Sequence, residues 1–210
     1  MSIRYSLFSL TLFAFLAVGA HRATAGVPSP VTSIVPPCFI ACPAGDVSFT
    51  VVVRDIGNFP VVNETVRLDF SACPAFQVCA DCCAGVTIDP QNRSASRTTD
   101  ANGVATFPLE LGGACGEQRM RVFAGGLLLT NNGVPVASPD QDGNLLVNAA
   151  DALHVYGLIG SHDAGADFDC DGTVTQADYD WMENLHSGHS CSDVVPARTS
   201  TWGVLKLIYR

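Results

Sequence analysis

A β-sandwich followed by a small pair of loop–helix repeats, mainly β with a little α, is the fold this sequence predicts. Three observations lead there. Residues 46–137 alternate apolar and polar side chains in short runs separated by turn residues. Residues 138–191 carry one twelve-residue motif twice, at an offset of 27. Residues 1–25 have the build of a removable leader, which sets them apart from the fold. The expected divisions are therefore 1–25, 26–137, 138–191 and a linker with a tail over 192–210.

In the leader, Arg4 precedes an apolar run from Leu7 to Val18, and Ala23-Thr24-Ala25 offers small residues for cleavage. The run is short and wrongly flanked for a membrane anchor, so a secretory signal peptide is expected, with Gly26 as the first mature residue. An uncleaved signal anchor is the alternative. No later stretch is long enough to span a bilayer, so the expectation is a soluble protein, secreted or at the cell surface. Nine cysteines suit that destination, where pairing is the default. Seven precede the repeat, Cys170 and Cys191 lie in or directly after it, and the odd total leaves one over. Cys170 and Cys191 are expected to pair, pinning the second loop to the end of its helix.

The net charge of −9 is unevenly spread. Between Ser138 and Cys191 there are ten Asp or Glu and no Lys or Arg. A solvated acidic face usually carries some basic residues, so unbalanced acids argue for a neutralising cation. Nucleic acid is excluded as a partner by the same balance.

Along the chain, Val27 to Pro37 reads as an extended leader to the sandwich. Val47, Phe49, Val51 and Val53 then share one face of a strand, and Val66, Leu68 and Phe70 one face of another. Val86–Ile88, Ser94–Thr98, Val104–Leu109, the Met120, Val122, Ala124 run, Leu127–Leu129 and Val134–Ala137 supply the rest. Turns fall at Asp55–Asn58, Asp100–Gly103 and Gly125-Gly126. About seven short strands of this kind form a sandwich, and roughly 110 residues can bury a core without metal help.

The segment Thr98-Thr99-Asp100-Ala101-Asn102-Gly103-Val104-Ala105-Thr106-Phe107, with Val51 to Gly57 upstream, resembles the bacterial Ig-like domains of invasin-type surface proteins. The resemblance covers about half of residues 40–137 and implies an Ig-like sandwich with a spacer, adhesion or display role. The insertion from Cys73 to Cys83 interrupts the strand pattern. Disulfide stapling of a long recognition loop is expected there, with zinc ligation and redox chemistry as alternatives.

Catalytic groups are scarce in residues 26–137. No His occurs there, so no Ser-His-Asp or Cys-His arrangement can be built. Glu64, Glu110 and Glu117 are the candidates for a glycosidase-type carboxylate pair, against a plainer reading as solvated side chains. Asn63-Glu64-Thr65 and Asn92-Arg93-Ser94 match the glycosylation acceptor pattern. A non-enzyme is expected.

The duplicated motif carries the most specific chemistry. Asp140, Asp142, Asn144, Asn148 and Asp151 stand at loop positions 1, 3, 5, 9 and 12, with the carbonyl of Leu146 at 7. Asp167, Asp169, Asp171, Thr175 and Asp178 take the same places in the second copy, with the carbonyl of Thr173 at 7. Hard oxygen donors at this spacing are the arrangement of a calcium loop. Gly172 sits at position 6 of the second loop, where a sharp turn asks for positive φ. Position 6 of the first loop is Leu145, with glycine at position 4 as Gly143. Holding Leu left-handed costs roughly 1–2 kcal/mol. Two calcium ions are expected, the second loop binding more tightly.

Each loop leads into a helix, Ala150–Ile159 and Ala177–His186, and the offset continues past the loops, placing Leu158 on Leu185 and His162 on His189. No amphipathic helix precedes the first loop, so a full helix–loop–helix EF-hand does not fit. The loop–helix pair, over nearly all of residues 138–191, resembles the dockerin module of bacterial surface and cellulosome proteins. That resemblance implies calcium-dependent folding of an antiparallel helix pair that docks onto a cohesin domain. It also implies that positions 10 and 11, Ala149, Ala150, Gln176 and Ala177, belong to the recognition surface. Leu145 and the short spacer between the repeats depart from the family pattern.

His162, His186 and His189 can alternatively gather as a transition-metal site rather than as polar caps. In the tail, Trp202, Leu205 and Tyr209 can share a helical face, which docks on the sandwich or serves as a retention signal. Two function classes follow: a secreted, non-catalytic calcium-binding protein for assembly or surface attachment, or an accessory carbohydrate-binding or hydrolase component of polysaccharide degradation. The absence of Trp and Tyr from residues 26–137 weighs against the second.

Overall fold

Alternation in the sequence becomes strand wherever one face can be buried. The computed structural model describes residues 26–45, 48–79 and 82–191. The expected signal peptide, Val47, the 192–200 linker and the tail with Trp202, Leu205 and Tyr209 lie outside them. The chain runs through β1 (Phe39–Ile40), β2 (Phe49–Val52), β3 (Thr65–Asp69), β4 (Gln77–Val78), β5 (Thr87–Asp89) and β6 (Ser94–Thr98). It continues through β7 (Val104–Phe107), β8 (Leu111–Gly112), β9 (Arg119–Ala124), β10 (Leu127–Leu128) and β11 (Val134–Ala137), then α1 (Ala149–Leu158) and α2 (Gln176–Trp181). A π-helical turn, Met182–His186, extends α2. Strands dominate, with two short helices.

The larger sheet has the order β1-β11-β9-β3-β6-β5, with β10 folded back on β9. Only β1 and β11 pair in parallel within it. Gly125 and Gly126, at φ 55° and 82°, make the two-residue turn between β9 and β10, as that dipeptide suggests. β2 pairs with β7, and β4 with β8, in two small sheets. Phe49, Val51 and Phe107 from the β2–β7 pair share one core with Val66, Leu68, Met120 and Val122 of the larger sheet. Burying side chains such as these contributes about 1.5–3 kcal/mol each. The stretch after Gly26 is tied to the β-body, because Ile34 forms a bridge with Val52.

The Thr98–Phe107 segment carries the chain from the larger sheet to the β2–β7 pair. Thr99 is buried at its entry, its hydroxyl donating to Val61 O at 2.7 Å and accepting from Glu64 N–H at 2.9 Å. Asp100 Oδ1 accepts from Asn102 N–H and Val104 N–H. Gly103, at φ 73°, lies so near the next strand that a Cβ would stand 2.5 Å from Val53 O. On the larger sheet, Asp69 is bonded by Arg121 at 2.9 Å. Burial raises its pKa, but hydrogen bonds from Ser71 and the charges of Arg121 and Arg67 outweigh that and hold it below the usual carboxylate value.

A second apolar cluster lies under the repeat: Val147, Val155, Ala166, Phe168, Val174 and Met182, with Ala137 at the end of β11. Val147 and Val174 are position 8 of the two loops and both are fully buried. The repeat is thus built on the end of the larger sheet. Ser138 N–H donates to Gly165 O at 3.0 Å, and Gly113 N–H to Asp140 O at 3.0 Å.

Candidate metal centre

The two loops fold alike because their acids collect the same backbone donors. In the first, Asp140 Oδ1 accepts from Gly143 N–H and Asn144 N–H, and its Oδ2 from Leu145 N–H at 2.8 Å. In the second, Asp167 Oδ1 accepts from Asp171 N–H and Oδ2 from Gly172 N–H at 2.8 Å. The closing acids match as well. Asp151 accepts from Gln141, Asp142 and Asn148 N–H, and Asp178 from Phe168, Asp169 and Thr175 N–H. Asp151 and Asp178 are also the third residues of α1 and α2, completing capping boxes with Asn148 and Thr175. Each loop closes by starting its own helix.

Carboxylate oxygens converge in both. Asp140, Asp142 and Asp151 each bring an oxygen within 4.8 Å of the others, as do Asp167, Asp169 and Asp171. Asp140 is fully buried, and Asp167 nearly so, whereas Asp142, Asp169 and Asp171 face solvent. Burial, together with the nearby Asp151 charge, raises the Asp140 carboxyl to about 7 despite its backbone hydrogen bonds. Burial raises Asp167 too, with a contribution from Asp178. An adjacent cation would favour the ionised form of such a buried acid. Oxygen-only donor sets of this kind fit a hard divalent ion.

The other expected donors make local hydrogen bonds. Asn144 Oδ1 accepts from Leu146 N–H and Asp171 Oδ1 from Thr173 N–H, which turns the backbone at position 7 in each loop. Asn148 Oδ1 caps Ala150 N–H and Thr175 Oγ1 caps Ala177 N–H. Ala149, Ala150, Gln176 and Ala177 are all exposed at the starts of the helices. Leu153, Tyr156 and Leu185 are exposed nearby, at 72%, 58% and 58%. Trp181 and Met182 of the second helix pack inward instead.

The backbone accounts for the first loop's misplaced glycine. Positions 4 and 6 are both left-handed in both loops: Gly143 and Leu145 at φ 73° and 65°, Cys170 and Gly172 at 64° and 94°. Each loop therefore has one glycine for two such positions. Position 4 of each loop is where the β-body meets it. A Cβ on Gly143 would stand 2.2 Å from Ala75 O, whereas one on Gly172 would meet nothing within 4 Å.

No protein-family model, curated protein or solved structure matches this chain.

The cysteine pairing differs from expectation. Cys170 is bonded to Cys38 and Cys191 to Cys79, not to one another. Both therefore tie the repeat to the β-body across 132 and 112 residues, rather than stapling it to itself. Spacing within the repeat cannot reveal this, because the partners come from segments that only the fold brings near. Cys73 pairs with Cys115, and the adjacent Cys82 and Cys83 with each other. Beside that last pair is a cavity of about 690 Å³, lined by Phe76, Val78, Val86, Ile88 and Arg93.

The offset of 27 also fails beyond the helices. The caps Ile159 and Ser187 have matching dihedrals (φ −55° and −58°, ψ 128° and 125°), and Gly160 and Gly188 both turn left-handed. Those pairs are 28 apart, because the π-helical turn takes up one extra residue in the second helix. His189 thus corresponds to Ser161, not to His162. His162 stands apart, its Nδ1 2.6 Å from Gly172 O. His186 and His189 lie with Cys42 instead, a residue that sequence spacing did not single out.

Proposed function

We propose that residues 138–191 bind two calcium ions and that the calcium-loaded repeat is an attachment element for a protein partner. Asp140, Asp142, Asn144, Asn148, Asp151 and the Leu146 carbonyl would hold the first ion. Asp167, Asp169, Asp171, Thr175, Asp178 and the Thr173 carbonyl would hold the second. The carrying observation is the pair of convergent carboxylate sets, each with its position-1 acid buried. Calcium supplies the charge that lets those acids ionise together. Further support comes from the exposed Ala149, Ala150, Gln176 and Ala177 beside exposed Leu153 and Tyr156. Small residues at helix starts let a partner approach closely, and the apolar neighbours give it area to bury.

The dockerin resemblance makes a cohesin-type domain the partner of choice, with secretion or surface display as the setting. An Ig-like sandwich would then act as the carried or displayed body, with no catalytic role. The reading is tested by retention of the full chain on an immobilised cohesin domain, with calcium and with chelator. Retention should need calcium and be lost in an Ala150→Asp, Ala177→Asp double variant that still binds calcium. Equal retention in chelator, or by that variant, contradicts it.

A further inference from the structure

Cys42 meets two histidines of the repeat, and its surroundings explain what it can do. Cys42 follows β1 and is held firmly: its carbonyl accepts from Gly45 N–H and Leu111 N–H, each at 3.1 Å. Its Sγ lies 3.4 Å from His186 Nδ1, across 144 residues of sequence. His189 completes the group, so that one ligand atom from each of the three falls within 4.8 Å of the others. Cys42 and His186 are buried, at 0% and 3% exposure, and His189 is half-buried at the surface side. We propose that Cys42, His186 and His189 form a second kind of metal site, taking a borderline-soft divalent cation of the zinc class and clamping β1 to the turn after the second helix.

The donor chemistry separates this site from the loops. One thiolate sulfur and two imidazole nitrogens select zinc-like ions, while the all-oxygen loops select hard ions. With zinc–sulfur near 2.3 Å and zinc–nitrogen near 2.0–2.1 Å, a tetrahedral angle separates sulfur from nitrogen by roughly 3.5 Å. The Cys42–His186 spacing of 3.4 Å already matches that. Both imidazoles are positioned. His186 packs on Trp181 with centroids 3.8 Å apart, and His189 stands edge-on to His186 at 5.1 Å. Gly188 and the 3.0 Å bond from His189 N–H to His186 O fold the two into one turn.

The helix itself is altered at this point. The π-helical turn ends on His186, and the extra residue it holds changes the repeat offset to 28 just before His189. Insertions of this kind are frequent at functional sites. The matching residues of the first repeat are Leu158 and Ser161, which offer no such pair. A nucleophilic role is disfavoured because a fully buried Cys42 meets no substrate. Three protein ligands would leave a fourth, tetrahedral position for water.

Cobalt titration of the purified, metal-stripped full chain in excess calcium tests this, since calcium occupies the loops if they bind cations. One equivalent of cobalt(II) should give tetrahedral visible bands and a near-ultraviolet thiolate-to-cobalt band, both bleached by one equivalent of zinc. Cys42→Ser should abolish the thiolate band, and the half-exposed His189→Ala should weaken cobalt binding by more than about tenfold. The wild-type titration decides the matter even if the Cys42 variant does not fold. Absence of a thiolate band at one equivalent, persistence of the band in the Cys42 variant, or mass spectrometry showing Cys42 oxidised in the native protein each overturns the proposal.

Discussion

The two loops meet one backbone demand with opposite residues. Both need left-handed residues at positions 4 and 6; the first places glycine at 4 and Leu145 at 6, the second Cys170 at 4 and Gly172 at 6. What decides the choice is the neighbour. In the first loop the Ala75 carbonyl presses on position 4, leaving room for glycine alone. In the second, position 4 carries the bond to Cys38, which requires a side chain there. A motif position thus records two requirements, dihedral and packing, and a spacing template sees only the first.

The comparison breaks most visibly at the glycines. Gly143→Ala should destabilise the fold by roughly 3 kcal/mol or more, because a clash with rigid backbone adds to left-handed strain. Gly172→Ala, with open space around it, should cost only about 1 kcal/mol. Denaturant unfolding of the two variants checks this, and equal losses would contradict it. Removing the other tether, with Cys38→Ser and Cys170→Ser together, should cost about 2–4 kcal/mol. A loss below that of Gly172→Ala would mean that the disulfide contributes little to holding the second loop.

Acidity distinguishes the loops from the β-body. Asp140 has a raised pKa, so in metal-free protein its contribution is complete below the unfolded value and is lost as pH rises through about 7. Asp69 has a lowered pKa, so its contribution is present above the unfolded value and is lost as pH falls through the lowered one. Unfolding midpoints in chelator across pH should therefore flatten at the neutral end for Asp140→Asn and at the acid end for Asp69→Asn. Parallel curves for both variants would remove the contrast.

Much of this was legible in the chain. Val66, Leu68 and Phe70, and Met120, Val122 and Ala124, read as strand faces because period two and burial coincide, and all six are fully buried. The duplicated loops were equally plain in the spacing, and their acids make the expected kind of local hydrogen bond. What stayed hidden was non-local. β1, β4 and β8 are two residues each and owe their existence to partners far along the chain. The partners of Cys170 and Cys191, and the meeting of Cys42 with His186, depend on how the repeat sits on the β-body. The π-helical turn inserts one residue without any break in the apolar pattern, so the offset of 27 looked continuous.

The smallest effect is the most pointed. Leu145→Gly should stabilise the metal-free protein by roughly 1 kcal/mol, relief of left-handed strain exceeding the added chain entropy. A destabilised variant would show that Leu145 contributes packing worth more than its strain.

Calorimetric calcium titration of the full chain tests the central claim most directly. Two binding events are predicted, the tighter one removed by Asp169→Ala and the weaker one by Asp142→Ala, both exposed residues whose loss leaves the buried acids in place. No binding, or binding that neither substitution changes, would contradict the account.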